Sequence, residues 1–490
     1  MPGNKNESKE IKSGVEAWKL CFTKENLEEI TKYTNKEIRT QRLTYATKVD
    51  DDDNEETPTS YKPSFTKDTD TVEMQALIGL LYYAGVMKMG GVFTRELFDK
   101  NSGIPIFRAT MPEARFRFLV NCLRFDNKVT RAQRKETDKL AAFREVFERS
   151  INKMKDLYVP SEFTTIDEQL VGFRGRCPFK MYIPSKPDKY GIKIVMCCDA
   201  KTAFVLDAEV YVGKGSTPSD IPVAQYYCEK LTTSFHGTNR NLTMDNWFTS
   251  VQTAKQLLEK NITVVGTIRK NFKKIPSSFL ELKNGQINSA MFCYSNSLTL
   301  LSYCPQKTKK KIVVMLSTMH EKGDEPNSTE FPEIKKFYDS TKGGVDTLDQ
   351  LCHTYSTNRK TRRWPLCLFY NLLNIVGYNS MVLLRGSYAL DKENLTNRRA
   401  YLKKLAMDLV KPHMERRLEI PTLRRELRQI ICNVLKITSA SEVPTRPITT
   451  TGRCAFCKRS DDRKSRVSCA LCKKFICLQH QNKICPSCSA

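Results

Sequence analysis

The spacing of apolar residues changes character twice along the chain. From Thr71 to Met87 (TVEMQALIGLLYYAGVM) the apolar positions predict a buried helix, Glu113 to Leu123 and Lys139 to Leu157 predict two more, and Glu16 to Thr40 carries short helical patterns. The first part is therefore mainly helical. At Phe163 the texture shifts. Phe163 to Ile166 lead into Asp167, Ile192 to Cys198 is an apolar run broken only by Lys193, and Phe204 to Val212 alternates as a half-buried strand does. A helix at Ile221 to Leu231, a strand Asn241 to Met244 ending at Asp245, a helix Val251 to Glu259 and a strand Ile262 to Ile268 follow. Between Arg269 and Lys336 the pattern becomes short strands (MFCYSN, LTLLSYC, KIVVMLS) separated by Pro, Asn and Lys turns. Trp364 to Leu384 is long and apolar, but Asn371, Asn374, Gly377, Tyr378 and Asn379 interrupt it, which favours a buried helix over a membrane span. Asn397 to Leu435 reads as basic and helical, and Thr438 to Thr451, rich in Ser, Thr and Pro, as a linker.

The order β-β-β-α-β-α-β from Phe163 to Ile268 predicts an α/β fold, a mixed sheet with helices on both faces, in the order a ribonuclease H-like core uses. Charge and cysteine then narrow the partners. With 490 residues the chain expects several domains. Its 80 Lys and Arg against 54 Asp and Glu leave +26, which points to a polyanion such as nucleic acid or an anionic surface. The N-terminal MPGNKNESKE lacks an apolar signal core, so the expectation is a soluble, non-secreted protein with no membrane partner and a disordered tail over 1–15. The acidic run Asp50 to Glu56 reads as a solvated loop, and Lys307, Lys309, Lys310 and Lys311 as a hairpin tip or a phosphate contact. In a reducing compartment the 18 cysteines are not a disulfide framework.

Two patterns carry chemistry. Asp167 at the end of the first predicted strand, Asp245 at the end of the fourth, and Asp346 with Asp349 in TKGGVDTLDQ come from three distant parts of the chain that the predicted topology brings to one sheet edge. Val345 to Tyr355 predicts a helix after a Gly-Gly break, with Asp346 and Asp349 on one face. Read alone, that pair fits a solvated acidic first turn. Beside the other two carboxylates it fits a site for two Mg2+ ions, which would serve an in-line phosphoryl displacement without a covalent nucleophile. The second pattern is the tail, where Cys454-xx-Cys457, Cys469-xx-Cys472, Cys477-xx-His480 and Cys485-xx-Cys488 supply eight ligands for two Zn2+ ions. Their interleaving suggests a cross-brace, with Cys454, Cys457, Cys477 and His480 on one ion and Cys469, Cys472, Cys485 and Cys488 on the other. A protein-interaction module of RING or PHD type is the competing reading of this tail.

The stretches TIDEQLVGFRGRCPFKMY, IPSKPDKYGIKIVMCCD, LTMDNWFTS, VVGTIRKN, TKGGVDTLDQ and RKTRRWP closely resemble the piggyBac family of DNA transposases, from about residue 70 to the C-terminus. The resemblance implies that Asp167, Asp245 and Asp346 are the catalytic metal-binding triad with Asp349 beside it. It also implies cut-and-paste excision and integration at TTAA sites, double-stranded DNA (terminal repeats and target) as partner, a homodimer and nuclear localisation. Helical segments 16–162 and 356–440 are expected to join as one dimerisation and DNA-binding domain around a catalytic core, 163–271 with 332–355. A β-rich insertion over 272–331, a linker over 441–453 and a zinc-binding domain over 454–490 complete the expected organisation. DNA contacts are expected at Arg269, Arg359, Lys360, Arg362, Arg363 and Trp364, with Trp364 either stacking on a displaced base or packed in the core. Phe272 stands where a relative has a basic residue. The competing function is a domesticated DNA-binding protein that retains the fold without moving DNA.

Overall fold

The computed structural model describes residues 2–47, 63–213, 215–272, 275–281, 289–304, 312–321, 331–388, 397–437, 451–469 and 472–480. The acidic run, the lysine-rich tip and Cys485 and Cys488 lie outside them. Two compact units result, Met1–Ile431 and Cys432–Ala490.

Within the first unit, helices α1 (Gly14–Cys21), α2 (Lys24–Thr47), α3 (Thr71–Val86), α4 (Glu113–Cys122) and α5 (Arg144–Lys155) precede the sheet. The sheet strands are β1 (Phe163–Gly172), β2 (Tyr190–Asp199), β3 (Val205–Val210), β4 (Arg240–Met244), β5 (Ile262–Thr267), β6 (Ala290–Ser295), β7 (Leu298–Tyr303) and β8 (Val313–Ser317). Helices α6 (Val223–Thr232) and α7 (Val251–Glu259) connect β3 to β4 and β4 to β5. After the sheet come α8 (Glu333–Thr341), α9 (Gly344–Thr354), α10 (Trp364–Gly386) and α11 (Arg398–Leu418).

The spatial order is β3-β2-β1-β4-β5-β8-β7-β6, and a ninth, short strand, Met181–Tyr182, pairs antiparallel with the start of β2 at Gly191 and Tyr190. β3, β2 and β1 pair antiparallel, whereas β1, β4 and β5 pair parallel because α6 and α7 provide the crossovers. The predicted mixed sheet is present, with one difference in extent. The β-rich segment does not stand apart as a separate layer: Met315, Leu316 and Ser317 of β8 pair with Thr267, Gly266 and Val265 of β5, so the sheet continues into it. An unpaired β5 edge would expose a row of backbone donors and acceptors, and β8 covers it. Val265, Leu301, Tyr303 and Met315 then form one continuous buried cluster across the join. Phe272 packs against Ile268, Ile312 and Val314 beside it.

The long apolar helix α10 is long and apolar enough to cross a membrane, yet it is buried inside the protein. Its asparagines explain the interruptions in the sequence pattern. Asn371 donates to Gln169 Oε1 on β1 at 2.7 Å, and Asn379 both accepts from Val205 N–H at 3.1 Å and donates to Val205 C=O at 3.0 Å on β3. Each satisfied amide pins the helix to the sheet in a setting where an unpaired one would be costly. On the other side Tyr82 of α3 donates to the Leu373 carbonyl and accepts from Trp18 Nε1 of α1 at 3.0 Å. Helix α3 lies close against α11: a Cβ on Gly79 would come within 2.7 Å of Val410 Cγ1 and 2.9 Å of the Ala406 carbonyl.

His413 of α11 is buried in that interface, its Nδ1 accepting from Arg416 at 2.9 Å. Burial, aided by Arg416 and Arg417 and opposed by Glu73 and Asp70, pushes it down to about 4. The folded protein thus holds His413 neutral while the unfolded chain takes up a proton near 6.5. Stability present above that value drains away as the pH falls toward 4, by about 3 kcal/mol at about 1.4 kcal/mol per pH unit. Melting temperature should drop between pH 7 and pH 5, and His413→Gln should flatten that slope; an unchanged slope would contradict it.

Candidate active site and metal centre

Asp167 and Asp245 are brought together by the parallel ladder. The last β1–β4 pair is Ile166 with Met244, so the two aspartates are the next residue on each strand. Asp167 is not at a strand end as the pattern suggested. β1 runs on antiparallel to β2 as far as Gly172, opposite Gly191. What ends is the β4 side, because the chain turns at Asp245, whose carboxylate accepts from Trp247 N–H at 2.8 Å and Phe248 N–H at 3.4 Å.

Two hydrogen bonds then fix the third station. Thr165, two residues before Asp167, donates to the Lys342 carbonyl at 3.2 Å, and Thr243, two residues before Asp245, bonds Thr341 at 2.7 Å. The end of α8 is thereby held across both strands. α9 begins directly after it at Gly344, where a Cβ would come within 2.4 Å of Thr165 Cγ2. Of the two glycines read as a helix break, Gly344 serves close approach: it lets the first turn of α9, which carries Asp346, lie on β1.

The stations differ in environment. Asp346 is solvent-exposed, 3.8 Å from Lys186 Nζ. Asp167 is half-buried, its Oδ1 accepting from Glu168 N–H at 2.8 Å. Burial first, then the carboxylates of Glu168 and Asp245, push the Asp167 carboxyl up to about 7, against the pull of the Glu168 N–H and Lys186. Asp349 is engaged within the protein: Gln169 donates to it at 2.7 Å while accepting from Asn371, and His353 Nδ1 lies 3.4 Å away. A carboxyl raised by burial and then by its acidic neighbours, with oxygen donors from three elements, has the chemistry a hard divalent cation satisfies. The three carboxylates fit such an ion by donor type, although their oxygens are not gathered within 4.8 Å of one another.

The sequence pattern did not single out the residues around these aspartates. Lys186 also donates to the Glu168 carbonyl at 3.0 Å, and Lys193 Nζ lies 3.5 Å from Glu168 Oε2 and 3.7 Å from the Trp247 ring centroid. Lys193 was legible only as the one charge in the apolar run of β2.

The expected DNA-contact residues divide into two groups. Arg359 donates to the Met89 and Val92 carbonyls at 3.0 and 2.9 Å, and Arg363 to the Val120, Asn121 and Leu123 carbonyls at the end of α4. These guanidiniums cap protein backbone, and their burial lowers both below the usual arginine value. Arg269, Lys360 and Arg362 are exposed. Trp364 is half-buried, edge-on to Phe179 at 5.0 Å, and lines a cavity of about 440 Å³ with Phe125, Pro178, Lys135, Lys139 and Arg362.

In the second unit the strands Gly452–Arg453 and Lys464–Ser465 pair on either side of Cys454 and Cys457, and the donor atoms of Cys454, Cys457, Cys477 and His480 all lie within 4.8 Å of one another. Cys457 Sγ is 3.5 Å from Cys477 Sγ, and Cys477 Sγ is 3.4 Å from His480 Nδ1. Burial opposes ionisation of Cys454, but the N–H groups of Phe456, Cys477 and Cys457 together with His480 hold it down to about 6. Three sulfurs and one imidazole in this arrangement could hold a metal ion, and the donor set suits tetrahedral Zn2+. Cys469 is fully buried and Cys472 N–H approaches its sulfur at 3.5 Å.

A family model described as Transposase IS4 matches residues 13–381, which makes the chain a member of that class of transposases. A piggyBac transposase solved by cryo-EM in a synaptic complex with hairpin DNA matches with a TM-score of 0.84 and 36% identity over 100% of both chains. The human PiggyBac transposable element-derived protein 3 and the human chimeric ERCC6-PGBD3 protein are each 22% identical over 339 residues, 61% of this chain. The chain covers 53% of the first and 30% of the second. Within its class, the chain belongs to the piggyBac family.

Proposed function

We propose that the protein is a DNA transposase that excises and reintegrates an element at TTAA sites by metal-assisted phosphoryl transfer, acting as a nuclear homodimer on double-stranded terminal repeats. The observation that carries the reading is the pair of bonds Thr165–Lys342 and Thr243–Thr341, which ties the strands bearing Asp167 and Asp245 to the end of α8, directly before the helix bearing Asp346. Three carboxylates carried toward one edge of the mixed sheet support an enzyme over a protein that only binds DNA. Asp167, Asp245 and Asp346 would hold two Mg2+ ions, with Asp349 beside them, and these would supply activation of water or a 3′-hydroxyl and stabilisation of the leaving oxygen. The chain's own part is to orient the carboxylates: Glu168 N–H holds Asp167, Trp247 and Phe248 N–H hold Asp245, and Gln169 holds Asp349.

DNA binding is supported by the +26 charge and by exposed Arg269, Lys360 and Arg362, the last beside Trp364, Lys135 and Lys139 in a cationic groove. A plasmid excision assay with candidate element ends and Mg2+ tests the reading. Excision that requires the protein and its aspartates supports it; DNA binding with no excision from correct ends would assign the domesticated alternative.

The tail is read as a two-Zn2+ module, Cys454, Cys457, Cys477 and His480 on one ion, Cys469, Cys472, Cys485 and Cys488 on the other. Its described apolar core is small, Cys469 and Ile476 with Phe456, Val467 and Cys472 around them. So little buried area does not hold a fold without metal. Metal analysis should find two zinc ions per chain, and a strong chelator should collapse the amide dispersion of this unit and not that of Met1–Ile431. Well under two ions, or a tail unchanged by chelation, would refute the module.

A further inference from the structure

Lys193 is the one buried lysine among the described residues. Placing an ammonium inside a sheet costs several kcal/mol unless partners compensate it. Its partners are two: Glu168 Oε2 at 3.5 Å and the face of Trp247, whose ring centroid is 3.7 Å from Nζ. These same two residues present the backbone N–H groups that hold the strand aspartates, Glu168 N–H to Asp167 Oδ1 and Trp247 N–H to Asp245 Oδ1, both at 2.8 Å. Side chains alternate along β1, so Glu168 and Lys193 meet on the face opposite Asp167.

We infer that Lys193 is a positioning residue that fixes the separation of Asp167 and Asp245 from the far side of the sheet, by clasping Glu168 and Trp247 at once. The inference rests on the reading of these aspartates as divalent-cation ligands. Coulomb attraction holds Glu168, and with it the peptide whose N–H orients Asp167. The cation–π contact holds the indole, and with it the turn whose N–H orients Asp245. One ammonium thus couples two carboxylates that share no hydrogen bond with each other. An apolar side chain of the same length would fill the space but leave the two turns to relax independently, and supporting groups of this kind set metal affinity.

The test is Mn2+ binding to the full-length protein without DNA, followed by electron paramagnetic resonance, with Asp245→Ala defining the signal that belongs to the site. Lys193→Met should melt below wild type, since it leaves the largely buried Glu168 carboxylate without its partner, yet fold and bind Mn2+ about ten- to a hundredfold more weakly. Trp247→Phe, which keeps a ring face, should stay within a few-fold of wild type, whereas Trp247→Leu should match Lys193→Met. Combining Lys193→Met with Trp247→Leu should add little, because each removes the same clasp. Wild-type Mn2+ affinity in Lys193→Met, with Asp245→Ala inactive in binding, would overturn the positioning role and leave the metal site standing. If Lys193→Met does not fold, equal affinities for Trp247→Leu and Trp247→Phe would overturn it instead. Undiminished Mn2+ binding by Asp245→Ala would remove the metal-site reading, and the positioning role with it.

Discussion

Asp245→Ala is expected to reduce excision about a hundred- to a thousandfold, the scale on which loss of one group stabilising developing charge is felt. The residue has two jobs that separate cleanly. Its charge is one of the three stations at the sheet edge. Its Oδ1 also closes the turn after β4 by accepting from Trp247 and Phe248 N–H. Asp245→Asn keeps an acceptor for those N–H groups and removes only the charge, so it should melt near wild type and still fail to excise. Alanine should lose both, with a small added drop in stability from the opened turn. Excision surviving in either variant, measured on a plasmid with correct element ends, would sink the catalytic reading of this residue.

The largest stability effect is expected at Arg115→Ala, about 3–5 kcal/mol by urea unfolding. Arg115 on α4 donates to both oxygens of Glu73 on α3, at 2.9 and 2.6 Å, and to the carbonyls of Phe65, Lys67 and Asp68. Both side chains are nearly sealed from water, at 3% and 4% exposure. Truncation would leave the Glu73 carboxylate buried with only Thr69 as a side-chain donor, and strand three carbonyls. Replacing both partners together, Arg115→Met with Glu73→Leu, should recover most of the loss, because the penalty comes from the orphaned charge. A single-variant effect below about 1 kcal/mol would show that water reaches the pair.

Much of the architecture was legible because local periodicity and burial agree. The helix at Val251–Glu259 was read to the residue and the strand before Asp245 within one, since their apolar runs are bounded by turn residues, whereas the strand through Asp167 runs on past it to Gly172. The join of β8 to β5 was not legible. A strand's pattern says which face it buries but not which edge it pairs with. The carbonyl contacts of Arg359 and Arg363 were not legible for a related reason: a basic run looks the same whether or not its guanidiniums cap carbonyls, and only the position of Met89, Val92 and the end of α4 shows that these two do. Lys193 was visible as an anomaly in an apolar strand, without a sign of what it held.

By itself the sequence determined the chemistry present: aspartates at three stations, four CxxC or CxxH pairs, and a surplus of cations. Side-chain type and short spacing are local properties that folding does not alter. The tertiary structure decided which of those groups meet. Asp167 and Asp245 lie 78 positions apart and face one edge because a parallel ladder stops between them and their predecessors. The first turn of α9, which carries Asp346, lies on β1 because Gly344 has no Cβ to keep it off Thr165. Contacts of that kind depend on distances of a few tenths of an ångström between segments far apart in the chain, and only the packed fold sets those.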